Sequence, residues 1–484
     1  MKKVFRILLG LIVALLIIVI IKTVTFKSLQ IKSESATLPV FGKESVSNLS
    51  KAITFPTISN ALNLPIDTTA FKGYLNFLSE AYPLIHSKLK KETFSCFSLL
   101  YTWEGKNATL KPFILTAHMD VVPAVGIDSW TYPPFSGSID GTYIWGRGTL
   151  DDKVEMISIL EAVERLLSEN YQPERTVYLA FGHDEEINGL RGASVIAAAL
   201  KDRGENAEFV IDEGSCVIVG LVPMIINPVA QIGTSEKGYL SVSISVEMGG
   251  GHSSYPEKET AITVLTKALN NVVNNQMDAR ITEPVNDFIR YIGPEMPFYA
   301  KAIFANRWLF NGIILNIYQR SKTSNALVRT TTAPTIFNAG IKDNVIPTKA
   351  EAVLNFRILS GETSADVMEH LKTVISDERV KFSMLQGFSE PSPVSPTDSY
   401  GFNTIHKTIR EVYPDAFVAP TMLIGGTDSR KYIEVCKNIY NFAPIVISTE
   451  DLARLHGIDE RIKIEDFTRG IGFYYLLIKN SNEF

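Results

Sequence analysis

The sequence predicts an α/β protein. Its main domain has a mainly parallel sheet with helices on both faces, and a smaller α+β domain is inserted into it. Three observations point there. Over the first half of the chain, apolar runs of strand length alternate with amphipathic helical stretches. At Gly238 the pattern switches to strict alternation, which marks a sheet with one wet face. The order β-α-β-β-α-β then suggests a small domain of its own, before the chain returns to the first. With 484 residues, 45% apolar and 20% charged, the chain can bury the cores of more than one domain.

The elements follow in order. Ile7 to Ile21 holds no polar side chain; Lys2, Lys3 and Arg6 precede it, and Lys22 and Lys27 follow. A cleaved signal peptide and an uncleaved anchor both start this way. Reading on to Phe26 reaches the ~20 residues that a span needs, with Lys22 snorkelling to the headgroups. The following KTVTFKSLQIK has no small-residue cleavage site, which favours an anchor over residues 1–30 with the catalytic domain on the non-cytoplasmic side. A helix is expected over Ala70–Leu89. Strands are expected at Pro112–Ala117, Thr176–Phe181 and Glu208–Ile211, and helices at Asp151–Asn170 and Ala193–Leu200. These belong to a catalytic domain spanning 45–237 and 391–484.

The inserted domain takes 238–390. Its first strand sets Leu240, Val242, Ile244, Val246 and Met248 on one face. A helix at about 260–275, strands at about 335–341 and 350–358, a helix at 364–376 and a strand at 380–385 complete it. Between them Pro284–Tyr318 reads as an irregular aromatic stretch that either packs an enlarged lid or lines an acyl channel. A Pro-rich hinge, Ser389–Pro396, leads back.

The chemistry gathers where strands end. The first strand runs into His118 and Asp120, and Tyr143-Ile144 leads to Asp151 and Asp152. The next strands run into Glu185 and Glu186, then Asp212 and Glu213. Ligands of open α/β sheets bind at the carboxyl ends of strands. Taken singly, an acid after a strand is more often a helix cap or a solvated turn. Five acids and a histidine on one rim repel unless a cation neutralises them, and carboxylate with imidazole suits zinc. The formal net charge of −5 shows no nucleic-acid footprint, and Cys96, Cys216 and Cys436 are too few and too scattered for a disulfide framework or a thiolate zinc site.

LTAHMDVVP, WGRGTLDDK, GHDEEINGLRGA, IDEG, GGGHSSYP, DNVIP…NFR, GGTDSR and RLHGIDERI stand in the order and spacing of a known family. From about Lys51 onward the chain resembles the aminoacylase/carboxypeptidase family of di-zinc metallopeptidases, in its carboxypeptidase S and N-fatty-acyl-amino-acid synthase/hydrolase branch. The resemblance implies two Zn2+ per chain. His118 and Asp212 would hold one, Glu186 and His456 the other, and Asp151 would bridge them. It implies that Asp120 orients His118, that Glu185 is the general base and then acid, and that a cis peptide follows Asp151. His252 would stabilise the oxyanion from across a domain or subunit boundary, and Asn344 and Arg357 would contact the substrate, Arg357 gripping its carboxylate. Gly426 and Thr427 would offer backbone N–H groups.

The activity so implied is cleavage of the amide of a peptide or N-acyl amino acid with a free carboxylate. Condensation of fatty acid with amino acid is the reverse reaction. A non-catalytic binding protein and a tethered adhesion module are the competing classes. The first should have lost a ligand or the base, and the second does not explain acids gathered on one rim. A homodimer through the inserted domain is compatible with the resemblance.

Overall fold

Phe113–His118 and Val177–Gly182 are buried at every position, because helices cover both faces of the sheet they lie in. Leu115, Leu179 and Ile211 face a core shared with the helices Lys153–Ser168 and Ile464–Asn480. Ile114, Tyr178 and Val210, one residue earlier on each strand, face the helix Ala193–Asp202 instead. The structure is a computed structural model that describes residues 1–61 and 64–482. The ends of the expected 391–484 segment at 483–484 lie outside those residues.

The parallel part of the sheet is its centre: Val177–Gly182, Phe113–His118, Val210–Asp212 and Ile439–Asn441 lie side by side. Outward the pairing is antiparallel at Lys90–Phe94 and Ser98–Trp103 on one side and mixed on the other. There Val229–Glu236 and Val217–Ile218 pair antiparallel, while Phe417–Leu423 and Val446–Ile447 run parallel to them, respectively. Helical crossovers link the central strands and force them parallel, whereas short connections between flanking strands allow hairpins. The α/β class expected from the sequence is the class observed.

The inserted sheet is antiparallel, in the order Thr331–Ala339, Lys349–Ile358, Gly238–Glu247, Val380–Met384. Leu240, Val242, Ile244 and Val246 pack beneath the helices Ala261–Asn274 and Ser364–Ile375, as the alternation requires. Where the chain crosses between the sheets, Tyr239 and Ser389 exchange backbone hydrogen bonds of 2.8 Å. A Cβ on Gly238 would lie 2.7 Å from Ser389 O, so only glycine allows this approach. Lys237 Nζ bonds to the carbonyls of Ala326 and Arg329, and burial lowers its pKa to about 7.

Two expectations are corrected. The single helix over 70–89 is two, Thr68–Ala81 and Pro83–Lys88, because Pro83 cannot continue the first and starts the second. The stretch read as irregular is helical: Glu283–Ile292, Phe298–Ala305, Arg307–Tyr318 and Lys322–Val328. Apolar residues on several sides blur its periodicity, and Gly293-Pro294, Pro297 and Asn306 cut it into short pieces. A further helix, Lys43–Ile53, stands where the sequence reading assigned no element. At the N-terminus, Lys2–Thr25 is a helix long and apolar enough to cross a membrane, with its apolar side chains exposed.

Candidate active site

His118 ends its strand in register with Gly182, so Glu185 and Glu186 leave the neighbouring strand beside it. Asp212 and Glu213 leave the strand on the other side. Asp151 comes from the loop before the helix Lys153–Ser168, with a cis peptide to Asp152. Its two oxygens point two ways: Oδ1 is 2.9 Å from His118 Nε2 and Oδ2 is 2.7 Å from His456 Nε2. Glu213 Oε1 stands 3.5 Å from His118 Nε2, and Glu186 Oε2 stands 3.7 Å from His456 Nε2. Two trios result, His118–Asp151–Glu213 and Asp151–Glu186–His456, each with donor atoms within 4.8 Å of one another.

Glu213 therefore stands where the sequence reading put Asp212. The Asp212 carboxylate turns the other way and accepts from Ser429 N and Thr427 Oγ1, both at 2.7 Å. Successive side chains of an extended segment point to opposite sides, so only one of this adjacent pair can face His118. Asp120 meets His118 Nδ1 with its backbone carbonyl at 3.0 Å and with Oδ1 at 3.3 Å. Its two carboxylate oxygens accept the backbone N–H groups of Glu185 and Glu186 at 3.2 Å, which fixes the turn that carries both glutamates.

The family model described as peptidase family M20/M25/M40 matches residues 114–480. The chain belongs to this family. It is 42% identical to the probable carboxypeptidase S-like 2 of Dictyostelium discoideum, over 98% of this chain and 93% of that one. It is 40% identical to the N-fatty-acyl-amino acid synthase/hydrolase of Xenopus tropicalis, over 91% of this chain and 86% of that one. Among solved structures it shares its fold with the M20 metallo-carboxypeptidase Sso-CP2 of Sulfolobus solfataricus, at a TM-score of 0.66 and 21% identity over 91% of this chain and 99% of that one.

In this M20 chain the rim carries more buried negative charge than its own cations balance. Burial and the charges of Glu213, Asp428 and Glu186 push the Glu185 carboxyl well above the usual range, against the pull of His118. Burial and then Asp151 raise Glu186 to about 8. Burial would also raise Asp151, but the hydrogen bonds of His118 and His456 hold it well below the usual range. The Asp151 carboxylate in turn lifts His456 to about 8. Among the described residues no Lys or Arg is paired with Asp151, Glu185, Glu186 or Glu213. Such a donor set fits divalent cations.

The substrate residues fare differently. Arg357 lies half-buried on its strand, 4.9 Å over the Tyr239 ring and beside Arg430, with no carboxylate paired to it among the described residues. Thr427 is committed internally: its N–H donates to Glu236 Oε1 at 3.2 Å and its hydroxyl serves Asp212 and Glu236. It offers no free N–H, and Gly426 remains the exposed member of that loop. His252 is exposed, stacked on Tyr255 and bonded to Ser254, and Asn344 is exposed on the strand-like segment facing it. Neither joins the cluster. His183 is no member either, since Ser98 Oγ holds its Nδ1 at 2.5 Å in the core.

The sequence reading named Glu213 at its strand end without giving it a role, and it passed over Glu460. Glu460 is fully buried and accepts the N–H groups of Gly148 and Leu150 at 2.9 and 2.7 Å, while pairing with Arg147. It ties the His456 segment to the loop that presents Asp151. The signal was an acid four residues after His456, within the RLHGIDE motif.

Proposed function

We propose that this protein is a di-zinc amidohydrolase acting on peptides or N-acyl amino acids that carry a free carboxylate. The observation that carries this is the pair of histidine–carboxylate trios sharing Asp151. His118, Asp151 and Glu213 would hold one ion, and Asp151, Glu186 and His456 the other. Bound there, such ions supply Lewis acidity toward a carbonyl oxygen and make water more acidic. Two histidines and three carboxylates suit zinc better than the all-oxygen preference of magnesium or calcium.

The chain's own groups do the rest. Glu185 takes the proton of the attacking water and passes it to the leaving nitrogen. Its burial favours the neutral acid, which suits the donating half of that exchange. Asp120 keeps His118 in one orientation through Nδ1 and fixes the Glu185 backbone. Arg357 would take the substrate carboxylate by two parallel hydrogen bonds, a reading supported by its half-burial with no carboxylate paired to it among the described residues. His252 and Asn344 serve the site only where an inserted domain, of this copy or of a second, is brought over it. Relatives named as carboxypeptidases and as N-fatty-acyl-amino acid synthase/hydrolases support both substrate groups and both directions of reaction. We read Lys2–Thr25 as a membrane span that tethers the catalytic domain on the non-cytoplasmic side.

The test is elemental analysis of zinc-loaded protein, coupled to a screen of dipeptides and N-acyl amino acids. About two zinc ions per chain and amide cleavage are expected, with chelation abolishing activity. A loaded chain without bound metal, or one with metal that cleaves neither class, overturns the proposal.

A further inference from the structure

Asn306 is fully buried and ties its own helix pair, through Ala302 O at 2.9 Å and Trp308 Nε1 at 3.2 Å, to the N-terminal helix. Its Nδ2 donates to Val19 O at 3.1 Å and to Thr23 Oγ1 at 3.2 Å. Around it the Lys22 ammonium lies 5.7 Å from the Trp308 ring, and the Phe26 ring closes on Gly293, where a Cβ would come within 2.7 Å of it. The last turns of Lys2–Thr25 are therefore docked on the helix pair Phe298–Ala305 and Arg307–Tyr318.

That pair turns Phe298, Tyr299, Trp308, Leu309, Ile313 and Ile317 outward, each at least 44% exposed. Leu309, Ile313 and Ile317 follow one another at four-residue spacing along one side of their helix, while Ile314 points inward and is buried. A contiguous apolar patch of this kind marks a partner, because a soluble surface scatters such residues singly. The segment from Met296 to Ser321 contains Lys301, Arg307 and Arg320 and no acidic residue. Cationic and aromatic side chains beside an apolar face are the composition of a helix that lies in a lipid interface.

We propose that this helix pair is seated in the lipid leaflet from which Lys2–Thr25 emerges. The inference rests on reading Lys2–Thr25 as a membrane span, and depth is what links the two. Lys22 is the first charged residue after the apolar run and marks the headgroup level. Val19, three residues deeper, lies ~4.5 Å inside it at 1.5 Å per residue. Interfacial helices bury their apolar face about 5–10 Å into that boundary. Asn306, bonded to Val19, holds the pair at this depth. The patch also extends to the loop that follows the strand Val217–Ile218, where the Tyr299 hydroxyl lies 3.6 Å from Met224 Sδ and Met224 and Ile226 are exposed.

The test uses the full chain in phosphatidylcholine vesicles, with an environment-sensitive fluorophore on single cysteines in a background in which Cys96, Cys216 and Cys436 are replaced by Ser. Labels go at Ile313, at Ile12 in the N-terminal helix and at Glu369 on the inserted domain. A nitroxide on the lipid acyl chain near the headgroup should quench Ile313 several-fold more than Glu369, and its emission should shift to the blue. Brominated lipid should likewise quench the unlabelled chain, and Trp308→Phe should remove part of that quenching. If Ile12 is quenched and Ile313 behaves as Glu369 does, the span stands and this inference falls. Blue-shifted but unquenched emission at Ile313 means that protein, such as a second copy, covers the face, which also overturns it. If Ile12 itself is unquenched, the span fails and the inference with it.

Discussion

The rim of the central sheet and the inserted domain handle their polar residues in opposite ways. At the rim, His118, Asp151, Glu186 and Glu213 are crowded together with most of their surface removed from water. On the inserted domain, His252 and Asn344 stand in solvent, and Arg357 rests on an aromatic ring with no acid opposite it. The rim comes from the ends of three adjacent strands, whose backbone hydrogen bonds hold the spacing before any ligand arrives. The inserted domain connects through the two crossings at Tyr239 and Ser389. The histidine–carboxylate cluster is assembled in advance on the rigid element, while His252, Asn344 and Arg357 belong to the inserted domain, which joins it through two chain crossings and through Tyr291 and Ile292, packed in the first core.

Four variants sharpen or break that contrast. The largest effect should come from Glu185→Gln, which removes proton transfer and leaves both trios intact. A fall in kcat of about 10²–10⁴-fold is expected, with zinc content unchanged by elemental analysis. Loss of metal along with activity would mean that Glu185 belongs to the cation set and not to the reaction.

Next is the adjacent pair. Glu213→Gln should weaken metal binding by more than the ~10–100-fold typical of residues that only support a ligand. Asp212→Ala should keep its zinc and lose stability instead, by about 1–3 kcal/mol, because Ser429 N–H and the Thr427 hydroxyl lose their nearest acceptor in the interior. Metal titration and denaturant unfolding on both variants separate the roles. The reverse pattern would restore Asp212 as the ligand and break the structural placement.

The smallest effect, and the one that tests the inserted domain, is Arg357→Met. Losing a charge-assisted contact costs about 1.5–3 kcal/mol, so kcat/KM for an N-acyl amino acid should fall ~10–150-fold. Preference for the free acid over the matching carboxamide should fall with it, at constant zinc content. An unchanged acid-to-amide ratio would make Arg357 a structural strand residue, packed on Tyr239 for its own sake.

Much of this was legible in the linear chain, for local reasons. Strands buried on both faces must be continuously apolar, and a strand with one wet face must alternate. Phe113–His118 and Gly238–Glu247 were therefore distinguishable from composition alone. Charged residues that directly follow apolar strands had to collect on one edge, because parallel strands end together. Short helices with apolar residues on several sides were not legible. Phe298–Ala305 and Arg307–Tyr318 lack the polar face that a periodicity needs, since one side packs on protein and the other is the exposed apolar patch.

The sequence by itself determined the fold class, the family motifs and the strand ends from which the rim is built. Tertiary structure alone decided which atom of which acid faces which histidine. Asp212 and Glu213 are neighbours of the same charge, and only the pleat of the strand they leave, with Thr427 and Ser429 waiting on one side and His118 on the other, separates a buried structural carboxylate from a member of the cluster. His456 lies 305 residues from Asp151 and reaches it because Glu460 binds the loop that presents the aspartate. No local pattern encodes a contact at that separation. It exists because folding pays the entropy of closing the loop once, through the packing of the whole domain.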